Sequence, residues 1–192
     1  MRSLGIWSPK GGVGKTTLAL NLAACAYERG MKVILCDLDP QLSAVDVFND
    51  KQLPFTVLKG QPSITPHADL IIYDLPPRTD VDIIGDTILI PMRASVLDIR
   101  AVNKSIRHVL HKRIIKCVNA VDVRRQDERL LAMRLYSEGA LLIKDRSIYS
   151  RAISMGKTVF NTDVYGASEA RTEIKRLLDK IENPTSPTNP SG

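Results

Sequence analysis

Lys10-Gly11-Gly12-Val13-Gly14-Lys15-Thr16-Thr17 decides the fold of this 192-residue chain because of what stands on either side of it. A strand-like run, Leu4-Gly5-Ile6-Trp7, precedes it, and a helix-like run, Leu18-Ala19-Leu20-Asn21-Leu22-Ala23-Ala24, follows. A glycine-rich turn in that setting points successive backbone N–H groups inward around an anion, where the following helix also directs its positive end. Lys15 in such a loop reaches the β/γ-phosphates and the Thr16 hydroxyl ligates Mg²⁺, so a nucleoside triphosphate is the expected ligand. The strict G-x-x-x-x-G-K-[ST] spelling is not met. Pro9 stands in place of the first glycine, and a second lysine, Lys10, opens the segment.

Two later apolar runs end in carboxylates. After a helix stop at Gly30 comes Lys32-Val33-Ile34-Leu35-Cys36-Asp37-Leu38-Asp39-Pro40-Gln41, in which Asp37 and Asp39 leave the strand tip on the same side. Carboxylates so placed hold the waters of a Mg²⁺ ion or orient an attacking water. The other run is Asp69-Leu70-Ile71-Ile72-Tyr73-Asp74, followed by Leu75-Pro76-Pro77.

The loop K-G-G-x-G-K-T-T, the D-x-D-P-Q tip and the strand ending at Asp74 together resemble the ParA/MinD family of ATPases, whose phosphate loop is a deviant Walker A. The resemblance spans residues 2–182. It implies ATP and Mg²⁺ as cofactors, with Gly11, Gly12, Val13, Gly14, Lys15, Thr16 and Thr17 around the phosphates. It implies that Lys10 crosses a dimer interface to the partner's phosphates, that Asp39 positions the water, and that Thr16, Asp37 and Asp74 hold the metal shell. Lys10, Lys15 and Asp39 are then the catalytic set. Asp86 to Pro91 with Ser95 to Asp98 resembles the family's fourth strand and its loop, and Cys117 to Asp122 the strand tip near the adenine. Asn119 either reads the adenine or makes a strand-end turn. Arg146 to Phe160 resembles the family's late helix and its G-K-x-V-x turn. The chain departs from the pattern at Arg78, where glycine is common, at Arg93, where an uncharged residue is usual, and in a short interval between Asp39 and Asp74.

Strands alternating with helices, in a chain with 44% hydrophobic residues, argue one α/β domain with a doubly wound, mostly parallel sheet covered on both faces. Strands are expected over 2–8, 32–37, 69–74, 86–91, 113–118 and 140–143, and helices over 15–29, 97–111, 127–138, 147–155 and 166–182. In such sheets ligands sit at the carboxyl ends of the strands, where Lys15, Asp37, Asp39 and Asp74 fall. The domain is expected to end at 182, with a disordered Pro/Ser/Thr tail over 183–192.

Cys25, Cys36 and Cys117 show no C-x-x-C pairing, and an odd count argues buried, reduced thiols in the cytoplasm over a disulfide framework or a metal cluster. His108 and His111 read as surface residues and Trp7 as core packing. Apolar runs are too short for a transmembrane span, and neither a signal peptide, a basic amphipathic C-terminal helix nor an N-terminal helix-turn-helix domain is expected.

Charge is uneven. Residues 1–96 hold 9 Lys/Arg against 10 Asp/Glu, whereas residues 97–192 hold 18 against 11. Clustered cations give salt-dependent, sequence-independent affinity for phosphates, although a basic helix face is commonly only solvated. The resemblance adds that ATP-loaded dimers of the family bind nonspecific double-stranded DNA. The candidates are Arg146, Arg151, Lys157, Arg171 and Lys175 in the late segment, with Arg100 and Lys104 along one helix face. The whole implies a nucleoid-associated homodimeric ATPase, slow unless a partner protein stimulates it, that distributes a cargo such as a plasmid or large assembly. The alternatives are an ATP-dependent ligase of the same superfamily acting on a small molecule, and a MinD-like membrane-associated regulator.

Overall fold

Short apolar runs alternate with amphipathic ones along the chain, and a computed structural model, which describes residues 1–49, 53–64 and 66–183, turns each short run into a strand. The order is β1 (Arg2–Ile6), α1 (Lys15–Glu28), β2 (Val33–Asp37), α2 (Ser43–Asn49), β3 (Thr56–Lys59), β4 (Leu70–Asp74) and β5 (Thr87–Met92). Then come α3 (Val96–Ser105), a 3₁₀ turn (Ile106–Val109), β6 (Arg113–Val121), α4 (Gln126–Ser137), β7 (Leu141–Lys144), α5 (Ser147–Ser154) and α6 (Ala167–Glu182). The strands form one sheet in the order β3-β2-β4-β1-β5-β6-β7, with every described pairing parallel. This is the doubly wound sheet expected. β1 lies at its centre, so the phosphate loop leaves from the middle of the carboxyl edge.

Residues alternate between the two faces of the sheet as strand periodicity requires. Leu4, Ile6, Leu35, Ile72, Leu89 and Cys117 pack with Leu18, Leu22, Ile174 and Leu177 of α1 and α6. Trp7, Ile88, Ile90 and Val118 face the other way, onto Val102 of α3 and Ala132 and Leu135 of α4. Trp7 is fully buried, as expected, and its indole N–H also donates to the Arg78 carbonyl oxygen at 2.7 Å, which ties the loop after β4 to β1. α1 is buried along Leu18 to Ala26, so apolar packing rather than an amphipathic stripe holds it. It ends in a Schellman turn: Gly30 at φ 80 donates to the Tyr27 carbonyl and Met31 to that of Ala26.

Three expectations change. α2 and β3 fill the interval between Asp39 and Asp74, where no element is expected from the sequence. The helix expected over 97–111 stops at Ser105, because the backbone tightens into the 3₁₀ turn that buries Val109. β6 runs on to Val121 across a register shift, with Ala120 at φ 51. The tail expected over 183–192 lies outside the described residues from 184 onward. Among the described residues no helix is long and apolar enough to cross a membrane.

Candidate nucleotide site

β1, β2 and β4 end level with one another, since Ile6 pairs with Asp74 and Asp37 with Asp74 across the sheet. Everything the chain needs for a phosphate site therefore meets at one edge. Gly12 at φ 70 and Gly14 at φ 88 give the loop its inward curl, and Gly14 is the residue from which α1 starts. No side chain fits at Gly14, because a Cβ there would lie 2.3 Å from the Asn119 side-chain nitrogen.

Lys15 opens α1 and is buried. Burial lowers its pKa, and the nearby Asp74 and Asp39 carboxylates oppose that shift, so the ammonium is held beside two acids. The Thr16 hydroxyl donates to Asp74 Oδ2 at 2.6 Å. Asp74 Oδ1 is buried without a partner among the described residues. Burial, only partly offset by the Thr16 hydrogen bond, pushes the Asp74 carboxyl up to about 7. A cation arriving at Oδ1 would supply the missing partner and favour the ionised form. These donors fit Mg²⁺, a hard ion that takes one or two protein oxygens and fills its octahedron with phosphate and water. No group of three or more His, Cys, Asp or Glu side chains able to hold a metal occurs among the described residues.

Asp37, expected in the metal shell, accepts backbone donors in this structure. Its Oδ2 accepts the Ala44 and Val45 N–H groups at 2.9 and 3.2 Å, and its Oδ1 accepts the Asp39 N–H at 3.1 Å. Three backbone donors thus occupy most of the carboxylate, which caps the start of α2 and shapes the Asp39 turn. Asp39 is half-buried and accepts the Gln41 N–H at 3.0 Å. Asn119 has a further contact that the sequence does not announce. Its Nδ2 donates to the Val13 carbonyl at 2.8 Å, so β6 braces the phosphate loop from outside.

Lys10 stands apart from Lys15. Its side chain is 44% exposed and its ammonium lies 4.0 Å from Asp98 Oδ1 on α3. Arg93, just past β5, donates through its guanidinium to the Gly12 carbonyl at 3.2 Å and the Ala120 carbonyl at 3.4 Å. Arg78 pairs with Asp80 at 2.6 Å on the exposed loop after β4.

The basic candidates divide into two kinds. Arg146 donates twice to Glu173 Oε1, at 3.1 and 3.0 Å, and Glu173 Oε2 also accepts the Tyr149 hydroxyl at 3.2 Å. Arg171 donates to the Val159 carbonyl at 2.6 Å and to the Thr162 carbonyl, clamping the turn before α6. These two guanidiniums serve the fold. Arg151 and Lys175 are exposed and Lys157 partly so, as are Arg100 and Lys104 on α3.

A family model described as the CobQ/CobB/MinD/ParA nucleotide binding domain matches residues 4–163. A maintenance of carboxysome distribution protein A from Halothiobacillus neapolitanus is 28% identical over 211 aligned positions, covering 93% of this chain and 95% of the relative. Among solved structures, a plasmid partition protein of Borrelia burgdorferi B31 bound to AMPPNP superposes with a TM-score of 0.76 at 18% identity, over 94% of this chain and 99% of that one. An ATP complex of a McdA variant from Cyanothece gives 0.72 at 14% identity, over 98% of this chain and 99% of that one.

Proposed function

We propose, from the premise that the chain belongs to the CobQ/CobB/MinD/ParA nucleotide-binding domain family, that it is an ATP-dependent dimerising ATPase that binds DNA without sequence preference and distributes a cargo over the nucleoid. The observation that carries this reading is the different placement of its two lysines. Lys15 is buried inside the loop beside Asp74 and Asp39, whereas Lys10 sits half-exposed on the outer flank beside Asp98. A lysine on that flank is free to complete a site other than its own.

In the working dimer the N–H groups of Gly11 to Thr16 cradle the phosphates, Lys15 neutralises the β- and γ-phosphates, and Lys10 stabilises charge on the partner's nucleotide. Bound Mg²⁺ would supply charge neutralisation to the phosphates. Thr16 and Asp74 hold its protein side, and Asp37 keeps the Asp39 turn in place. Asp39 orients the attacking water. Hydrolysis is slow until a partner protein improves that alignment. Kinship to a carboxysome-distribution protein and the fold of a plasmid partition protein support a positioning output, with a large assembly or a replicon as cargo.

The DNA surface of this reading rests on Arg151, Lys157 and Lys175, with Arg100 and Lys104 in a lesser role, and no longer on Arg146 and Arg171, which the fold employs. Anisotropy titrations of a random duplex with ADP and with a nonhydrolysable ATP analogue, each at two salt concentrations, test it. Binding is expected with the ATP analogue only. Arg151→Glu with Lys175→Glu should weaken it more than Arg100→Glu with Lys104→Glu, and each lost phosphate contact should flatten the salt slope by about 1. Arg146→Glu and Arg171→Glu should lower the melting temperature instead. Equal binding in both nucleotide states, or none in either, removes the nucleoid from the mechanism.

A further inference from the structure

Arg93 and Asn119 together hold two consecutive carbonyls of the phosphate loop from outside. The Arg93 guanidinium donates to the Gly12 carbonyl at 3.2 Å, and the Asn119 amide to the Val13 carbonyl at 2.8 Å. Neither grip is loose at its base. The Arg93 backbone N–H donates to Asp98 Oδ2 at 3.2 Å, its guanidinium also reaches the Ala120 carbonyl at 3.4 Å, and Asn119 is buried in β6.

The consequence follows from peptide geometry. No described peptide bond is cis, and in a trans peptide the C=O and N–H point in opposite directions. A donor on the Gly12 carbonyl therefore sets the direction of the Val13 N–H, and a donor on the Val13 carbonyl sets that of the Gly14 N–H. Those two N–H groups then face away from their outside partners, toward the side where an anion would sit. Gly12 is exposed and has no side chain to restrain its peptide, so an outside donor has most to contribute there.

The geometry points to Arg93 as a positioning residue for the nucleotide phosphates, one that fixes the Gly12–Val13 peptide before the ligand arrives. The inference rests on the nucleotide-site reading above and adds to it a residue that lies 81 positions from the loop. A charge-assisted donor is about twice as strong as a neutral one, so an uncharged side chain at this position holds the peptide less firmly. Pre-organisation of this kind acts on every nucleotide that places phosphates in the loop, and so on ATP and ADP alike.

The test compares Arg93→Ala, Arg93→Gln and Arg93→Lys with the unaltered chain by fluorescence titration with labelled ATP and ADP, alongside steady-state hydrolysis and thermal melting. Arg93→Ala is expected to bind both nucleotides about five- to twentyfold more weakly, as loss of one charge-assisted hydrogen bond implies. KM should rise in step while kcat at saturation stays within about twofold, because the lost interaction serves ground and transition states equally. Arg93→Lys should recover part of the affinity and Arg93→Gln less, with melting temperatures unchanged. Unaltered affinity in Arg93→Ala overturns the inference, and so does a defect confined to dimerisation at unaltered affinity, which makes Arg93 a contact to the partner subunit. Failure of the unaltered chain to bind either nucleotide is a separate result, which brings down the reading of the site and this inference with it.

Discussion

Lys15→Ala is expected to abolish nucleotide binding, whereas Lys10→Ala keeps it and loses everything that follows. The first change removes a buried ammonium at the start of α1 that feels the field of Asp74 and Asp39. Truncating one partner of a charge pair buried on binding costs about 2–5 kcal/mol, or roughly one and a half to four orders of magnitude in affinity. The nucleotide phosphates would then meet the Asp74 and Asp39 carboxylates without the cation between them. Lys10 has no such place. It is half-exposed beside Asp98, at the opening of the glycine-rich loop and not buried within it. Its removal should change monomer affinity for labelled ATP by less than about threefold, in line with the small worth of exposed ion pairs. The same variant should show no ATP-dependent dimer and no turnover above background. Binding, dimerisation and hydrolysis measured on both variants check this. A Lys10→Ala protein that dimerises and hydrolyses normally would remove the trans role from that lysine.

Asp39→Ala is expected to separate binding from chemistry in the other direction. Asp39 touches neither Thr16 nor the unpartnered Asp74 oxygen among the contacts of the site, and its own turn is held by Asp37. The phosphate cradle therefore survives the substitution. Losing a group that orients the attacking water should lower kcat by about 10²–10³ while leaving ATP affinity nearly intact. The variant should accumulate as an ATP-loaded dimer that stays on DNA. Quench-flow or steady-state hydrolysis, with bound nucleotide identified after gel filtration, reads both quantities. Loss of ATP binding would move Asp39 from orienting water to holding the metal.

The place of the glycine-rich loop was legible because its pattern is contiguous: Lys10 to Thr17 stand in eight successive residues between the end of β1 and the first turn of α1. The acids at β2 and β4 were legible because a parallel sheet sends its ligands to the carboxyl edge, and the register places Asp37 level with Asp74. What Asp37 does there was not legible. Its bonds to Ala44 and Val45 depend on α2, and that helix has seven residues with only Ala44 and Val47 buried, too short to show a period. β3 escaped for a similar reason, as a four-residue edge strand of mixed polarity. The braces on the loop join residues 81 and 106 positions apart, and no local pattern announces such a contact. Spacing also could not divide the late cations. Arg146 and Arg151 look alike in the sequence, yet one turns inward to Glu173 and the other faces outward.

The proposed DNA binding, trans lysine and positioning output all depend on nucleotide-dependent dimerisation. Light scattering of the unaltered chain, with Mg²⁺ and either ADP or a nonhydrolysable ATP analogue, measures it directly. The account predicts the mass of one chain, 21.3 kDa, with ADP and twice that mass with the ATP analogue. The same mass in both nucleotide states, at concentrations where both nucleotides are bound, would contradict it.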